Sequence, residues 1–86
     1  MKITFYQPIE YTKASLSPTG LLKLEAAIEF APAIGLRVRL PGITATIEMV
    51  EWDRWTGNIK AWLPCHKESR HMTLHNLLVK NGWEDG

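Results

Sequence analysis

The stretch Leu22-Lys23-Leu24-Glu25-Ala26-Ala27-Ile28-Glu29-Phe30 alternates between apolar and charged side chains. Every even position is apolar, and every odd position except Ala27 is charged. This period of two is typical of a strand with one face buried and the other solvated. A helix with Ser17 as N-cap and Pro18 at its first position is the alternative. That helix would hold Gly20 in its first turn and would scatter the charges around its surface, so the stretch predicts a strand.

The segment 36–40 alternates in the same way and follows a loop that contains Pro32 and Gly35. A hairpin centred on Ala33 would join the two strands. That hairpin predicts three facing pairs: Phe30 with Leu36, Ile28 with Val38, and Glu29 with Arg37. The apolar pairs then share one face, and the opposite charges meet on the other.

The segments 43–52 and 59–63 predict a second hairpin, whose turn lies in Asp53–Asn58. Gly57 suits the left-handed position of a three-residue loop. Centring that loop on Thr56 pairs Met49 with Leu63 and Trp52 with Lys60. In this register Val50, Trp52 and Trp62 share the face opposite Ile47, Met49, Ile59, Ala61 and Leu63.

The C-terminal part changes to helical spacing. Leu74, Leu77 and Leu78 predict a short helix to Lys80, capped by Thr73 or starting near Glu68, and Asn81-Gly82 is a stop signal. A further strand is predicted around Ile3 and Phe5. The fold class is mainly β (α+β), in a single domain over 1–86. We expect a small antiparallel barrel or a strongly twisted sheet of five or six strands, with one short C-terminal helix.

The composition bounds the function. Lys and Arg number 10 against 9 Asp and Glu, which gives no electrostatic reason to expect nucleic-acid binding. Cys65 is the only cysteine, so an intrachain disulfide is excluded and a reducing compartment is favoured. No signal peptide or membrane-spanning stretch is visible, and we expect a cytoplasmic protein without a membrane partner.

The polar cluster most suited to metal binding or catalysis consists of Cys65, His66, His71 and His75. His71 and His75 would share a helical face, as two metal ligands must, if the helix began near Glu68. The cluster supplies only half of a zinc signature, and a nucleophilic Cys65 would need an oriented base that the spacing does not provide. The sequence therefore favours a solvated polar segment, with no cofactor and no catalytic residue, over a metal site.

Four tryptophans are many for 86 residues, and three of them lie on the second hairpin. One face of that hairpin must line the core. The other is either covered by Leu77, Leu78 and Trp83 or offered to a partner, and large aromatics are enriched at such contacts. The predicted binding surface comprises Val50, Trp52, Trp55, Lys60 and Trp62. We expect a small non-enzymatic binding or assembly module, with self-association as its leading interaction.

Two alternatives from other functional classes stay open at this point. One is a small-ligand site or minor enzyme at an oligomer interface, with a small molecule or another protein as the partner. The other is a nucleic-acid-binding small barrel, because small barrels bind oligonucleotides in several families.

Overall fold

The computed structural model describes residues 2–11, 19–68 and 73–86. It contains one helix, α1 (Thr73–Lys80), within these ranges. The strands are β1 (Lys2–Tyr11), β2 (Thr19–Ala27), β3 (Arg37–Leu40), β4 (Ile43–Thr46), β5 (Met49–Trp52), β6 (Ile59–Trp62), β7 (His66–Glu68) and β8 (Glu84–Asp85). The prediction of a mainly β chain with a short C-terminal helix is confirmed.

Strand β1 lies at the centre of a six-stranded sheet with the order β5-β6-β1-β2-β8, and β7 also pairs with β1. Its odd residues from Ile3 to Tyr11 are buried, while its even residues are half-buried or exposed. It pairs antiparallel with β2 but parallel with both β6 and β7. The sheet is therefore mixed and not closed as a barrel, so the antiparallel and barrel parts of the prediction are not met.

Two prolines separate β6 from β7 along the same side of β1. Pro8 lies between the part of β1 that pairs with β6 and the part that pairs with β7, and Pro64 lies in the connection between those two strands. Prolines cannot donate to a ladder. The buried amide of Gln7 occupies this break, and its Nε2 donates to the carbonyl oxygens of Pro8 (2.8 Å) and Pro64 (2.9 Å). A polar side chain in the core face of β1 is thereby satisfied as a donor.

The predicted strand over 22–30 exists, but it spans Thr19–Ala27. The partner predicted for it, the segment 36–40, is wrong. β2 pairs with β1 along nine residue pairs, from Lys2 with Ala27 to Glu10 with Thr19. Strand β3 pairs with β4 instead, in a separate two-stranded sheet that turns at Pro41-Gly42. The longer ladder with β1 outweighs the short hairpin around Ala33, because each additional pair adds backbone hydrogen bonds and cross-strand contacts.

The second predicted hairpin exists as β5 and β6, but its register is shifted by one residue. Met49 pairs with Trp62, Val50 with Ala61, and Trp52 with Ile59. The loop has four residues rather than three, because the amide of Asp53 donates to the Asn58 carbonyl oxygen (2.8 Å). Gly57 has a φ of 74°, as the turn prediction required.

A one-residue shift changes which side chains share a face. Residues directly opposite in an antiparallel pair point to the same side. Val50 therefore lies with the buried Ala61, and Trp52 lies with Ile59, while Trp62 points to the other face with Met49. The prediction that Val50, Trp52 and Trp62 share one face is wrong.

A bulge explains why Ile47 and Met49 do not share a face either. The Glu48 amide donates to the Trp62 carbonyl oxygen (2.8 Å), so Glu48 and Met49 both oppose Trp62. Ile47 is buried and Met49 is exposed on either side of this irregularity.

Helix α1 confirms the predicted range to within one residue and ends as predicted. The amide of Trp83 donates to the Leu78 carbonyl oxygen and that of Gly82 to Val79, with Gly82 at a φ of 94°. This is the Schellman arrangement. The cap at the other end was assigned wrongly, because the Glu68 carboxylate, rather than Thr73, accepts the amides of Leu74 and His75.

Trp83, near the C-terminus, connects the six-stranded sheet region to the two-stranded sheet. The indole Nε1 of Trp83 donates to the carbonyl oxygen of Pro41 (2.8 Å), in the turn between β3 and β4. Gly42 in the same turn has a φ of 86°, and a Cβ there would lie 3.0 Å from Leu78 Cδ2. The main core consists of Ile3, Phe5, Ile9, Tyr11, Leu22, Val38, Ile47, Ala61, Leu63, Leu78 and Trp83. Within the described part of the chain, no helix is long and apolar enough to cross a membrane.

Candidate functional site

Two tryptophans at the end of the β5–β6 hairpin are largely exposed. The side chain of Trp52 is 68% exposed and that of Trp55 is 96% exposed. We use the name hairpin tip for the six residues that line a depression of about 350 Å³ at this end of the sheet: Glu51, Trp52, Asp53, Arg54, Trp55 and Lys60. Exposed tryptophans beside a concave surface are typical of contact sites, because each can bury a large area at a small entropic cost.

The loop that presents Trp55 is held in shape by Asp53. The carboxylate oxygen Oδ1 of Asp53 accepts the backbone amides of Trp55 (2.9 Å) and Thr56 (3.4 Å). The hydrogen bond from Trp55 is the main reason that the pKa of Asp53 lies below its ordinary value. The charged Asp53 thus fixes the conformation of the loop backbone that carries the exposed Trp55 side chain.

The charges of the hairpin tip balance. Glu51 and Asp53 contribute two negative charges, and Arg54 and Lys60 contribute two positive ones. The net charge of this surface is therefore zero, and two copies of it carry no net electrostatic repulsion. The electrostatics of the hairpin tip therefore give no preference for a strongly acidic or a strongly basic partner.

The five predicted surface residues do not form one continuous face. Trp52 and Trp55 lie together at the hairpin tip, while Val50 is half-buried and packs against the core. Trp62 lies on the opposite face, stacked on Tyr6 with ring centroids 4.6 Å apart. Lys60 shares that face, and its Nζ lies 5.9 Å from the centre of the Tyr6 ring.

Tyr6 was missed because its neighbour on the sheet is distant in sequence. Tyr6 pairs with Trp62 across the parallel contact of β1 and β6. No periodicity in either segment reveals that pairing. Trp62 is thus covered by an aromatic ring of β1, whereas the predicted alternatives were the C-terminal helix and an external partner.

Strands β8 and β5, at the two ends of the strand order, differ in how they are protected. Strand β8 is two residues long, and both residues, Glu84 and Asp85, are acidic. Short, charged edge strands resist pairing with another chain. Strand β5 is longer and carries exposed Met49 and Trp52 side chains. Among the described residues, nothing pairs with its outer side.

The predicted metal candidates are dispersed where the structure describes them. Cys65 and His66 are exposed, and His75 Nδ1 is hydrogen-bonded to the Tyr11 hydroxyl (2.9 Å). No three potential ligands converge in the described ranges 2–11, 19–68 and 73–86. His71 lies outside those ranges, so its contribution to such a site stays a prediction.

Tyr11, His75 and Glu68 form a small polar cluster under the start of α1. Burial, followed by the negative charges of Glu68 and Asp85, raises the pKa of the Tyr11 hydroxyl. Because Glu68 also accepts the first amides of α1, this cluster has a structural role as a helix cap.

No protein-family model matches the chain, and no curated protein or solved structure matches it either.

Proposed function

We propose that this protein is a small non-enzymatic assembly module that associates with a second copy of itself through the outer edge of β5 and the hairpin tip. The observation that carries the proposal is the exposure of Trp52 and Trp55 beside a strand edge that lacks a partner in the described residues. A cytoplasmic location accompanies this proposal, following from the lone cysteine Cys65.

The backbone of β5 supports the same conclusion. The hydrogen bond from Asp53 to Asn58 fixes the alternation of the ladder, so the amide and carbonyl groups of Val50 and Trp52 point away from β6. A second β5 can satisfy these groups by continuing the sheet. Trp52 and Trp55 would then bury their rings against the partner, and the hairpin tip as a whole carries no net charge.

Light scattering after size-exclusion chromatography tests the proposal. We expect the wild-type protein to have a dimeric mass, and its melting temperature to rise with protein concentration. Truncation of a central interface tryptophan costs about 2 kcal/mol or more of binding free energy, which is roughly a 30-fold increase in the dissociation constant. Trp52→Ala, Trp55→Ala and the edge-protecting Trp52→Lys should therefore yield monomers.

Ile34→Ala provides a matched control. Ile34 is 70% exposed and lies in the loop before β3, away from the hairpin tip. This variant should keep the dimeric mass and its concentration dependence. A wild-type protein that stays monomeric at high micromolar concentration, with a melting temperature independent of concentration, would show that the hairpin tip is not a self-association surface.

A further inference from the structure

An apolar groove of about 370 Å³ lies beside β3. It is lined by Phe5, Ile28, Phe30 and all residues from Leu36 to Leu40. Because five consecutive residues line it, the groove follows the edge of β3 rather than one of its faces. Ile28 and Phe30, which follow β2 in the chain, also line it. The pairs that the sequence placed in a hairpin thus border an open space.

The free backbone groups of β3 can be identified from its ladder. The amide of Ile47 donates to the Leu36 carbonyl oxygen (2.8 Å), which extends the register of β3 and β4 by one pair. In an antiparallel ladder, alternate residues direct their amide and carbonyl groups to the partner. Leu36, Val38 and Leu40 therefore face β4, and the backbone groups of Arg37 and Arg39 face outward. No strand within the described ranges pairs with this edge.

The side chains along this edge have a matching pattern. Arg37 and Arg39 are exposed and form no salt bridge with any described residue. Val38 between them is buried and points to the opposite face. A strand added to β3 would therefore meet positive charge on its outer face and apolar side chains on its inner face.

We propose that the groove binds an extended peptide in which acidic and apolar residues alternate, added antiparallel to the edge of β3. Two acidic side chains of the peptide lie opposite Arg37 and Arg39, whose backbone groups exchange hydrogen bonds with the same two residues. The apolar residue between them lies beside Val38, between Phe30 and Leu36. This is recognition by strand addition, in which the main chain gives affinity and alternate side chains give specificity.

The charge pattern disfavours a second β3 strand as the occupant. Arginines would then lie among arginines across the new pair, which is destabilising. Acidic side chains opposite Arg37 and Arg39 would instead stabilise the strand pair. The groove is separate from the hairpin tip, and peptide binding in it does not depend on dimer formation.

Fluorescence anisotropy with a labelled EVEVEV peptide at low ionic strength tests the proposal. We expect saturable binding that weakens as salt is added, and binding of KVKVKV at least tenfold weaker. The double variant R37E/R39E should reverse this preference. Lys67→Glu is the control, because Lys67 is exposed on β7 and does not line the groove, and it should leave the preference unchanged.

Depsipeptides separate strand addition from simple charge attraction. An ester oxygen in place of each glutamate amide N–H removes the hydrogen bonds to β3, and we expect at least tenfold weaker binding from the loss of two bonds. The same change at the valines should have little effect. Equal binding of both depsipeptides, or displacement of EVEVEV by an equimolar amount of dodecanoate, would overturn the proposal in favour of a site for amphipathic carboxylates.

Discussion

Replacing Trp83 tests whether the C-terminal segment stabilises the whole domain or only its own end. Trp83 is 2% exposed, and its indole Nε1 donates to the Pro41 carbonyl oxygen at 2.8 Å. Two changes separate these contributions. Trp83→Phe keeps an aromatic ring and removes the hydrogen bond, while Trp83→Ala removes both.

The magnitudes follow from the burial and from the hydrogen bond. Loss of the bond costs about 1 kcal/mol, because Pro41 is exposed and water can hydrate its carbonyl oxygen in the variant. The smaller ring of phenylalanine adds about 1 kcal/mol of lost apolar burial. We therefore expect Trp83→Phe to lower the free energy of unfolding by about 2 kcal/mol, and Trp83→Ala to lower it by about 3 to 5 kcal/mol. A domain of 86 residues has roughly 4 to 13 kcal/mol in total, so the alanine variant lies near the limit of folding.

Urea unfolding followed by far-ultraviolet circular dichroism measures both values at a fixed, low protein concentration. Trp55→Phe is the matched control, because the ring of Trp55 is 96% exposed and its replacement should change the free energy by less than about 0.5 kcal/mol. A Trp83→Phe variant as stable as the wild type would refute the role of the hydrogen bond. A Trp83→Ala variant that loses less than about 1 kcal/mol would refute the reasoning from burial.

Two further predictions concern the polar cluster below α1. Glu68→Ala should lower the free energy of unfolding by about 1 to 2 kcal/mol, because the amides of Leu74 and His75 lose their acceptor. Thermal melting measures this loss, and an unchanged melting temperature would contradict the prediction. The free energy of unfolding should fall as the pH rises above about 10, because the folded protein binds the Tyr11 proton more tightly than the unfolded chain does. Tyr11→Phe should show a shallower decline in urea titrations between pH 9 and 11 than the wild type, and equal slopes would count against the raised pKa.

Local patterns predicted the type of those elements whose periodicity and turn residues are uninterrupted. The alternation around Leu24 specifies a strand because its apolar positions reach one face at every second residue. Gly57 and Gly82 take the positive φ angles that their turn and helix end require. The helix over 73–80 follows from leucine spacing and from its stop signal.

A strand was predicted around Ile3 and Phe5, but its full length to Tyr11 and its central place in the sheet were missed, because its pattern is interrupted. Gln7 and Pro8 follow Phe5 in β1, and neither residue is expected inside a central strand. Both are tolerated because of Pro64, 57 residues from Gln7, which leaves a gap between β6 and β7 and supplies a carbonyl oxygen. A local pattern contains no information about such a distant partner. The parallel pairing of β1 with β6 and β7 is hidden for the same reason.

The candidate site was predicted in part, and loop length explains the error. Changing the loop length by one residue shifts the pairing of the two strands by one residue. Side chains that shared a face in one register then lie on opposite faces in the other. The four-residue loop moves Trp52 to the side of Ile59, beyond the end of the core, and leaves Trp62 on the other face beneath Tyr6. Composition could identify a tryptophan-rich hairpin. Only the register separates a tryptophan that is covered from one that is free.

The free strand edges differ in charge, and charge determines which partner each can accept. Backbone groups alone would let either edge pair with any extended chain, including a copy of itself. At β3, Arg37 and Arg39 oppose pairing with a second β3, because like charges facing each other across a pair are destabilising. At β5, the strand carries one charged residue, Glu51, the hairpin tip has no net charge, and the exposed rings of Trp52 and Trp55 gain from burial. We therefore propose that self-association uses β5 and that β3 accepts an acidic strand.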